Sequence, residues 1–155
     1  PTQDASRQPT EVNDLVERVI TLTRKRCQER NVALEWTPGT DLPRPVLLAD
    51  RIQQVFMNVV LNAVDAMPDG GRLCVWTVRG DDPDRVEVHF ADTGVGIPKD
   101  ELSHLFAPFY TTKETGMGLG LYVSHNIVRE HGGRIEVQSV EGEGTTLTVC
   151  LPVQE

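Results

Sequence analysis

The sequence has few of the features that characterise secreted, membrane-spanning or nucleic-acid-binding proteins. Its three cysteines, Cys27, Cys74 and Cys150, are widely spaced and form no CxxC pair, which fits reduced core thiols better than a disulfide or zinc framework. No apolar run approaches the roughly 20 residues of a membrane-spanning helix. The formal net charge of −8 provides no basic surface, so we expect neither nucleic-acid binding nor membrane contact by this domain.

The composition that is present indicates one globular domain. The chain has 155 residues, of which 39% are apolar and 25% charged, enough for a single hydrophobic core. Residues 1–9 are polar and turn-rich, and we predict a linker or disordered tail there and a folded domain at residues 10–155. Because the chain begins with Pro1 rather than Met, we expect a piece of a longer protein, monomeric on its own.

Hydrophobic periodicity predicts an α+β fold. Three helices are expected, at residues 10–30, 50–67 and 121–131. Six strands are expected, at residues 31–36, 46–48, 72–79, 85–91, 134–139 and 145–151. The last four strands should form antiparallel hairpins, which predicts a mixed, mostly antiparallel sheet with helices on one face. Thr10 and Asp50 are the predicted helix N-caps, and Gln53 completes a capping-box-like arrangement with Asp50.

The helix predicted at 50–67 carries a polar line on an otherwise apolar surface. Gln54, Asn58, Asn62 and Asp65 recur at helical spacing, although the rest of the helix must be buried on nearly every side. Asn is a mediocre helix former because its amide competes for backbone hydrogen bonds. Two Asn residues here indicate a polar cavity, but a stripe at a hydrated helix edge explains this helix equally well.

Two glycine-containing segments could contact a ligand. Asp92-x-Gly94-x-Gly96 follows an apolar strand, and taken alone it fits a hairpin turn with a solvated aspartate better than a binding loop. Gly116-x-Gly118-Leu119-Gly120 lies directly before a helix, where free backbone N–H groups form an anion site. Between them, Phe106, Pro108 and Phe109 could be core residues, but the stretch has no clear period, and with Lys113 at its tip it is also typical of a lid over phosphates. No GxxxxGK[ST] phosphate loop occurs.

Together these motifs resemble the ATP-binding domain of sensor histidine kinases. That family's order and spacing is matched by five elements: the Asn-bearing helix, Asp92-x-Gly94-x-Gly96, Phe106-x-Pro108-Phe109, Gly116-x-Gly118-Leu119-Gly120-Leu121 and Gly142-x-Gly144-Thr145. The resemblance covers roughly residues 10–152, and the short lid and HGGRIEVQS look most like the nitrogen-regulation and oxygen-sensing branch. It implies the Bergerat fold, a two-layer α/β sandwich with three helices on one face, in a cytoplasmic domain of a two-component phosphorelay.

The resemblance also implies ATP and Mg²⁺ as ligands. Asp92 would accept a hydrogen bond from the adenine amino group, near Thr145. Gly94 and Gly96 would lie beside the base and sugar. Asn62 would coordinate Mg²⁺, with Asn58 on the phosphate side. Phosphate contacts are implied for the lid and the second glycine segment, at Thr111, Thr112, Lys113, Gly116, Gly118, Leu119 and Gly120. The resemblance also places Asp65, Ile97, Phe109 and Leu121 among the nucleotide-binding residues.

No histidine in the chain has the sequence context of a phosphoacceptor. The four histidines are His89, His104, His125 and His131, and none begins a His-acid-x-x-Asn/Thr-Pro segment. We therefore expect a catalytic module that cannot phosphorylate itself. It would donate the γ-phosphoryl group of ATP to a histidine on its own dimerisation (histidine-phosphotransfer) domain, and serve a response regulator indirectly.

Other functions of the same fold remain alternatives. ATP hydrolases of this fold place a Glu four residues before the metal-binding Asn to activate water. This chain has Asn58 there, and an amide cannot act as a general base near neutral pH. An anti-sigma-factor-type serine kinase shares the pocket, although the lid sequence fits it less well. A non-enzymatic binding module would need a broken pocket, whereas no expected ligand residue is missing.

Overall fold

A computed structural model describes residues 6–80, 84–106 and 120–153. The helices are α1 (Val12–Glu29), α2 (Ala49–Asp65), α3 (Lys99–Leu102) and α4 (Gly120–Glu130). The strands are β1 (Gln8–Pro9), β2 (Val32–Thr37), β3 (Val46–Leu47), β4 (Gly71–Gly80), β5 (Arg85–Asp92), β6 (Arg134–Val140) and β7 (Gly144–Pro152). All the predicted elements are present, and β1 and the single turn α3 were not predicted. None of the helices in these ranges is long and apolar enough to cross a membrane.

Five strands form the main sheet in the order β2-β4-β5-β7-β6. Only the β2–β4 pairing is parallel, and the β4–β5, β5–β7 and β6–β7 pairings are antiparallel. The predicted mixed sheet and its two hairpins are therefore confirmed. A separate two-stranded sheet pairs β1 with β3. The last two residues of the predicted tail, Gln8 and Pro9, are thus held in a strand rather than left as linker.

The core lies between one face of the main sheet and the helices α1, α2 and α4. Helix α2 is central because it packs against both α1 and α4. Its buried side chains include Ile52, Phe56 and Val60, and the ring of Phe56 lies 5.8 Å from that of Phe90 on β5. Contact on both flanks and underneath explains why this helix is apolar over most of its surface.

Both predicted N-caps are wrong. Helix α1 begins after Glu11 and α2 after Leu48, and neither start has a side-chain cap hydrogen bond. The hydroxyl of Thr10 instead donates to the carbonyl of Gln8 at 2.7 Å. Asp50 lies inside the first turn of α2, where a carboxylate still interacts favourably with the helix dipole.

A histidine directly after α4 anchors the start of α2. The backbone N–H of Leu48 donates to Nε2 of His131 at 3.1 Å. Nδ1 of His131 lies 2.7 Å from the carbonyl oxygen of Ile127, so Nδ1 carries the proton and Nε2 accepts. The group that a capping box would satisfy locally is therefore satisfied by a residue 83 positions away.

Candidate functional site

Asp92 ends β5 at one edge of the candidate site. It lies in register with Leu73 on β4 and Thr145 on β7. Its Oδ1 accepts hydrogen bonds from the backbone N–H groups of Gly94, at 2.8 Å, and Thr145, at 3.2 Å. Burial raises the pKa of the Asp92 carboxyl, and these two donors offset part of that rise. The carboxylate is therefore fixed and partly desolvated, unlike a solvated turn aspartate.

The second carboxylate oxygen of Asp92 is available to a ligand. Within the described residues this carboxylate accepts two hydrogen bonds, and both are accepted by Oδ1. A carboxylate oxygen can only accept when ionised. The site thus presents one hydrogen-bond acceptor whose position is set by the sheet rather than by side-chain rotation.

Gly94 and Gly96 are required by packing of the chain on itself. A Cβ on Gly94 would collide with the carbonyl oxygen of Ala66 at the end of α2, and one on Gly96, which has φ +75°, with that of Val140. The N–H of Val95 also donates to Ala66 O at 3.0 Å. The loop after β5 is therefore wedged between α2 and the β6–β7 turn, and any ligand contact by these glycines remains a prediction.

Ser139 joins three segments behind the site and was missed by sequence reasoning. It lies on β6 in register with Thr145. Its Oγ is 2.7 Å from Oγ1 of Thr145, 2.8 Å from the backbone N of Ile97 and 3.0 Å from the carbonyl O of Gly144. The one sequence signal was its place near the end of an alternating strand, but the alternation does not give the register with β7 that brings Ser139 to Thr145.

The residues of the polar line on α2 have two kinds of surroundings, solvent at the helix edge and a contact with α4. Gln54 is exposed, whereas Asn58 and Asn62 are partly buried. Nδ2 of Asn58 donates to Oγ of the fully buried Ser124 on α4 at 3.2 Å. The hydrated-edge explanation therefore holds for Gln54, the Asn58 amide faces α4, and the polar cavity remains a prediction.

Asp65, at the last position of α2, interacts with two arginines at the C-terminal end of α1. Its Oδ1 lies 3.7 Å from a guanidinium nitrogen of Arg26 and 3.9 Å from one of Arg30. At these distances, with the side chains partly exposed, the pairs contribute little stability, in the range of about 0–1 kcal/mol. The contacts link α1 to the same end of α2 that carries Asn62.

Asn62 has the chemistry needed to hold Mg²⁺. The described part of the chain contains no group of three or more His, Cys, Asp or Glu side chains that could enclose a metal. Mg²⁺ is usually bound through one or two protein oxygens together with waters and substrate phosphates. One amide oxygen on the partly buried face of α2 fits that mode, whereas an all-protein cage does not.

Much of the expected phosphate-binding region lies outside the described residues. This applies to Phe109, Thr111, Thr112, Lys113, Gly116, Gly118 and Leu119, whose roles remain predictions. Of that region, Gly120 and Leu121 open α4, and Leu121 packs against the core. Phe106 precedes the gap, and its ring stacks on that of His125 with the centroids 4.9 Å apart.

Comparison with known families settles the class of this domain. The family described as histidine kinase-, DNA gyrase B- and HSP90-like ATPase matches residues 48–155. The chain belongs to this family. Within it, the ATPase domain is of the histidine kinase catalytic type, as the relatives below show.

Sensor kinases are prominent among the relatives of this ATPase domain. Sporulation kinase E of Bacillus subtilis (strain 168) is 40% identical over 93% of the chain and 19% of its own length. Sensor histidine kinase ZraS of Escherichia coli (strain K12) is 38% identical over 94% of the chain and 31% of its own length. Sensor protein FixL of Bradyrhizobium diazoefficiens is 39% identical over 93% and 29%, respectively. The chain thus spans less than a third of each relative.

Solved structures confirm the expected fold. The nucleotide-free catalytic domain of histidine kinase ThkA superposes with a TM-score of 0.84 at 28% identity, over 95% of each chain. Full-length ShkA in complex with AMPPNP gives a TM-score of 0.86 at 26% identity, over 98% of this chain and 32% of ShkA. The resemblance to histidine kinase catalytic domains is therefore confirmed.

Proposed function

We propose that this domain binds Mg-ATP and donates its γ-phosphoryl group to a histidine on a separate dimerisation domain. The observation that carries the proposal is the geometry of Asp92. One of its oxygens is fixed by two backbone N–H groups, and the other remains to accept from a ligand. The adenine amino group is a hydrogen-bond donor, so it matches this acceptor.

The phosphate end of the site would be supplied by α2 and α4. Asn62 would hold Mg²⁺ through its amide oxygen, and the ion would neutralise part of the phosphate charge. The start of α4 at Gly120 adds the positive end of a helix dipole. These groups orient the phosphates and stabilise their charge, which is the main task of a protein in phosphoryl transfer.

Asn58 favours phosphotransfer over hydrolysis. Its Nδ2 donates to Ser124 Oγ, so the amide is oriented by α4. An amide has no basic atom that could take a proton from water near neutral pH. The residue that would activate water in hydrolases of this fold is therefore replaced by a group that can only position its neighbours.

The phosphoryl transfer itself uses groups from two domains. An imidazole nitrogen of the acceptor histidine forms a bond to the γ-phosphorus, and the bond from that phosphorus to the β–γ bridging oxygen breaks. ADP leaves with the electron pair, and the imidazole proton passes to a base of the acceptor domain. The partners are thus the dimerisation domain directly and a response regulator indirectly, in the cytoplasm.

Radiolabelled ATP tests the proposal. We expect that the domain incubated with γ-labelled ATP stays unlabelled and releases little phosphate. Adding the dimerisation domain of the parent protein in trans should give a labelled histidine on that domain. Replacing that acceptor histidine with Gln, or using Asn62→Ala, should abolish or reduce the labelling. Rapid phosphate release by this domain alone would instead support a hydrolase.

A further inference from the structure

The three hydrogen-bond contacts of the Ser139 hydroxyl allow only one assignment of donors and acceptors. A serine hydroxyl has one proton to donate and two lone pairs to accept. Ser139 Oγ accepts from the backbone N–H of Ile97 at 2.8 Å. The carbonyl of Gly144, at 3.0 Å, can only accept, so a hydrogen bond there uses the Ser139 proton. The remaining contact, 2.7 Å to Thr145 Oγ1, is then a hydrogen bond only if Thr145 donates.

We propose that Ser139 determines base specificity by holding the hydroxyl proton of Thr145. With that proton committed to Ser139, Thr145 Oγ1 offers only lone pairs to a bound base. Its backbone N–H is committed as well, to Oδ1 of Asp92 at 3.2 Å. This end of the pocket therefore presents acceptors only, from Asp92 and from Thr145.

Because Asp92 and Thr145 both present acceptors, this end of the pocket favours a purine with an amino group at position 6. That group carries two N–H donors, whereas a 6-oxopurine has a carbonyl acceptor in the same place. For the carbonyl to gain a hydrogen bond, Thr145 would have to turn its proton away from Ser139. Removing the Ser139 hydroxyl frees that proton, so it should weaken the discrimination. The inference rests on the proposed nucleotide function and adds to it a residue outside the expected ligand set.

Calorimetric titration with ADP and inosine diphosphate tests the inference, because inosine has a carbonyl in place of the amino group at position 6 and consequently a proton on N1, while the rest of the nucleotide is the same. We expect wild type to prefer ADP. Ser139→Ala should lower the ADP:IDP preference by roughly three- to tenfold, the effect of about one neutral hydrogen bond. In a Thr145→Val background the same substitution should change nothing further, since no hydroxyl proton remains to be redirected.

Three variants separate a specificity role from a structural one. Ser139→Thr keeps the hydroxyl and should keep the wild-type preference. Gln138→Ala alters the exposed neighbour on β6 and should leave both affinities unchanged. If Ser139→Ala does not fold, the pair Thr145→Ser and Thr145→Val decides: the first should retain the preference and the second should lower it.

The outcomes distinguish the inference from the function on which it rests. If wild type binds neither nucleotide, or both equally, the assignment of the pocket fails and the inference fails with it. If wild type prefers ADP but Ser139→Ala weakens both nucleotides by the same factor, or neither, the inference is overturned while the proposed function stands.

Discussion

The two ends of the candidate site are built in different ways. The end that we propose for the base (the base end) is made by the sheet: Asp92 on β5 and Thr145 on β7 are paired in register, and backbone N–H groups hold the carboxylate. The end that we propose for the phosphates (the phosphate end) is made by helices, with the amides of Asn58 and Asn62 on α2 and the first residue of α4, Gly120.

The two ends differ in the conformational freedom of their side chains. A β-ladder fixes its residues through backbone hydrogen bonds, so a group at its end has little room to move. An amide on a helix surface can change rotamer, and its position depends on how that helix packs. Base recognition requires a fixed donor–acceptor pattern, whereas Mg²⁺ keeps several waters that adjust to the site. We therefore expect the base end to set specificity and the phosphate end to set metal dependence.

The largest effect should come from the fixed carboxylate. Asp92→Ala should weaken ADP binding by roughly ten- to hundredfold, because a hydrogen bond to a charged group contributes about 1.5–3 kcal/mol. Wild type should also bind ADP at least about tenfold more tightly than GDP, since a guanine carbonyl would face the partly desolvated carboxylate. Titration calorimetry with both nucleotides measures these quantities, and equal wild-type affinities would contradict the assignment.

Asp92→Asn sharpens the test because it keeps the shape and changes the polarity. The backbone donors of Gly94 and Thr145 fix an acceptor at the Oδ1 position, so the amide oxygen must lie there and the NH₂ group must take the place of Oδ2. The variant would then present a donor to the base. We expect its preference to shift from ADP towards GDP, and an unchanged preference would show that Oδ2 does not contact the base.

A smaller, metal-dependent effect is expected at the helical end. Asn62→Ala should weaken Mg-ATP binding about tenfold, the lower end of what changes at a metal site cost, and should change metal-free ADP binding far less. Gln54→Ala provides a matched control, since Gln54 lies on the same line of α2 but is exposed. Thermal unfolding should be altered little in either variant. Metal-dependent affinity that is unchanged in Asn62→Ala would remove Asn62 from the metal site.

The sequence predicted the features that depend on nearby residues. Periodicity located the helices and strands of the fold because apolar spacing is a local property. The N-cap predicted at Asp50 failed because His131, not Asp50, satisfies the start of α2, and a contact across 83 positions leaves no local signal. Ser139 was missed for a related reason. Its contact with Thr145 depends on the register between β6 and β7, and the sequence alone does not give that register.

The smallest expected effect on the site concerns the anchor of the helical end, where the change is one of stability rather than of nucleotide affinity. His131 is buried and accepts the Leu48 N–H only while Nε2 is unprotonated. Burial lowers the pKa of His131, nearby Arg7 and Arg51 lower it further, and the hydrogen bond to Ile127 and the charge of Glu130 oppose the shift. A protonated Nε2 would be a donor facing another donor, so protonation should loosen the start of α2.

Acidification should therefore destabilise this domain through His131. The unfolded chain takes up the proton near the ordinary histidine pKa of about 6.5, and the folded chain only at lower pH. The free energy of unfolding should fall as pH drops below about 6.5, by at most about 1.4 kcal/mol per pH unit from this one group.

His131→Gln can keep a donor and an acceptor but cannot titrate, so urea unfolding from pH 7.5 to 5.5 should show a shallower decline in that variant. His131→Ala should share the shallower decline and lose about 1 kcal/mol at pH 7.5, because the partly buried Leu48 N–H is left without its partner. Curves for wild type and His131→Gln that run parallel across this range would show that the anchor does not respond to pH.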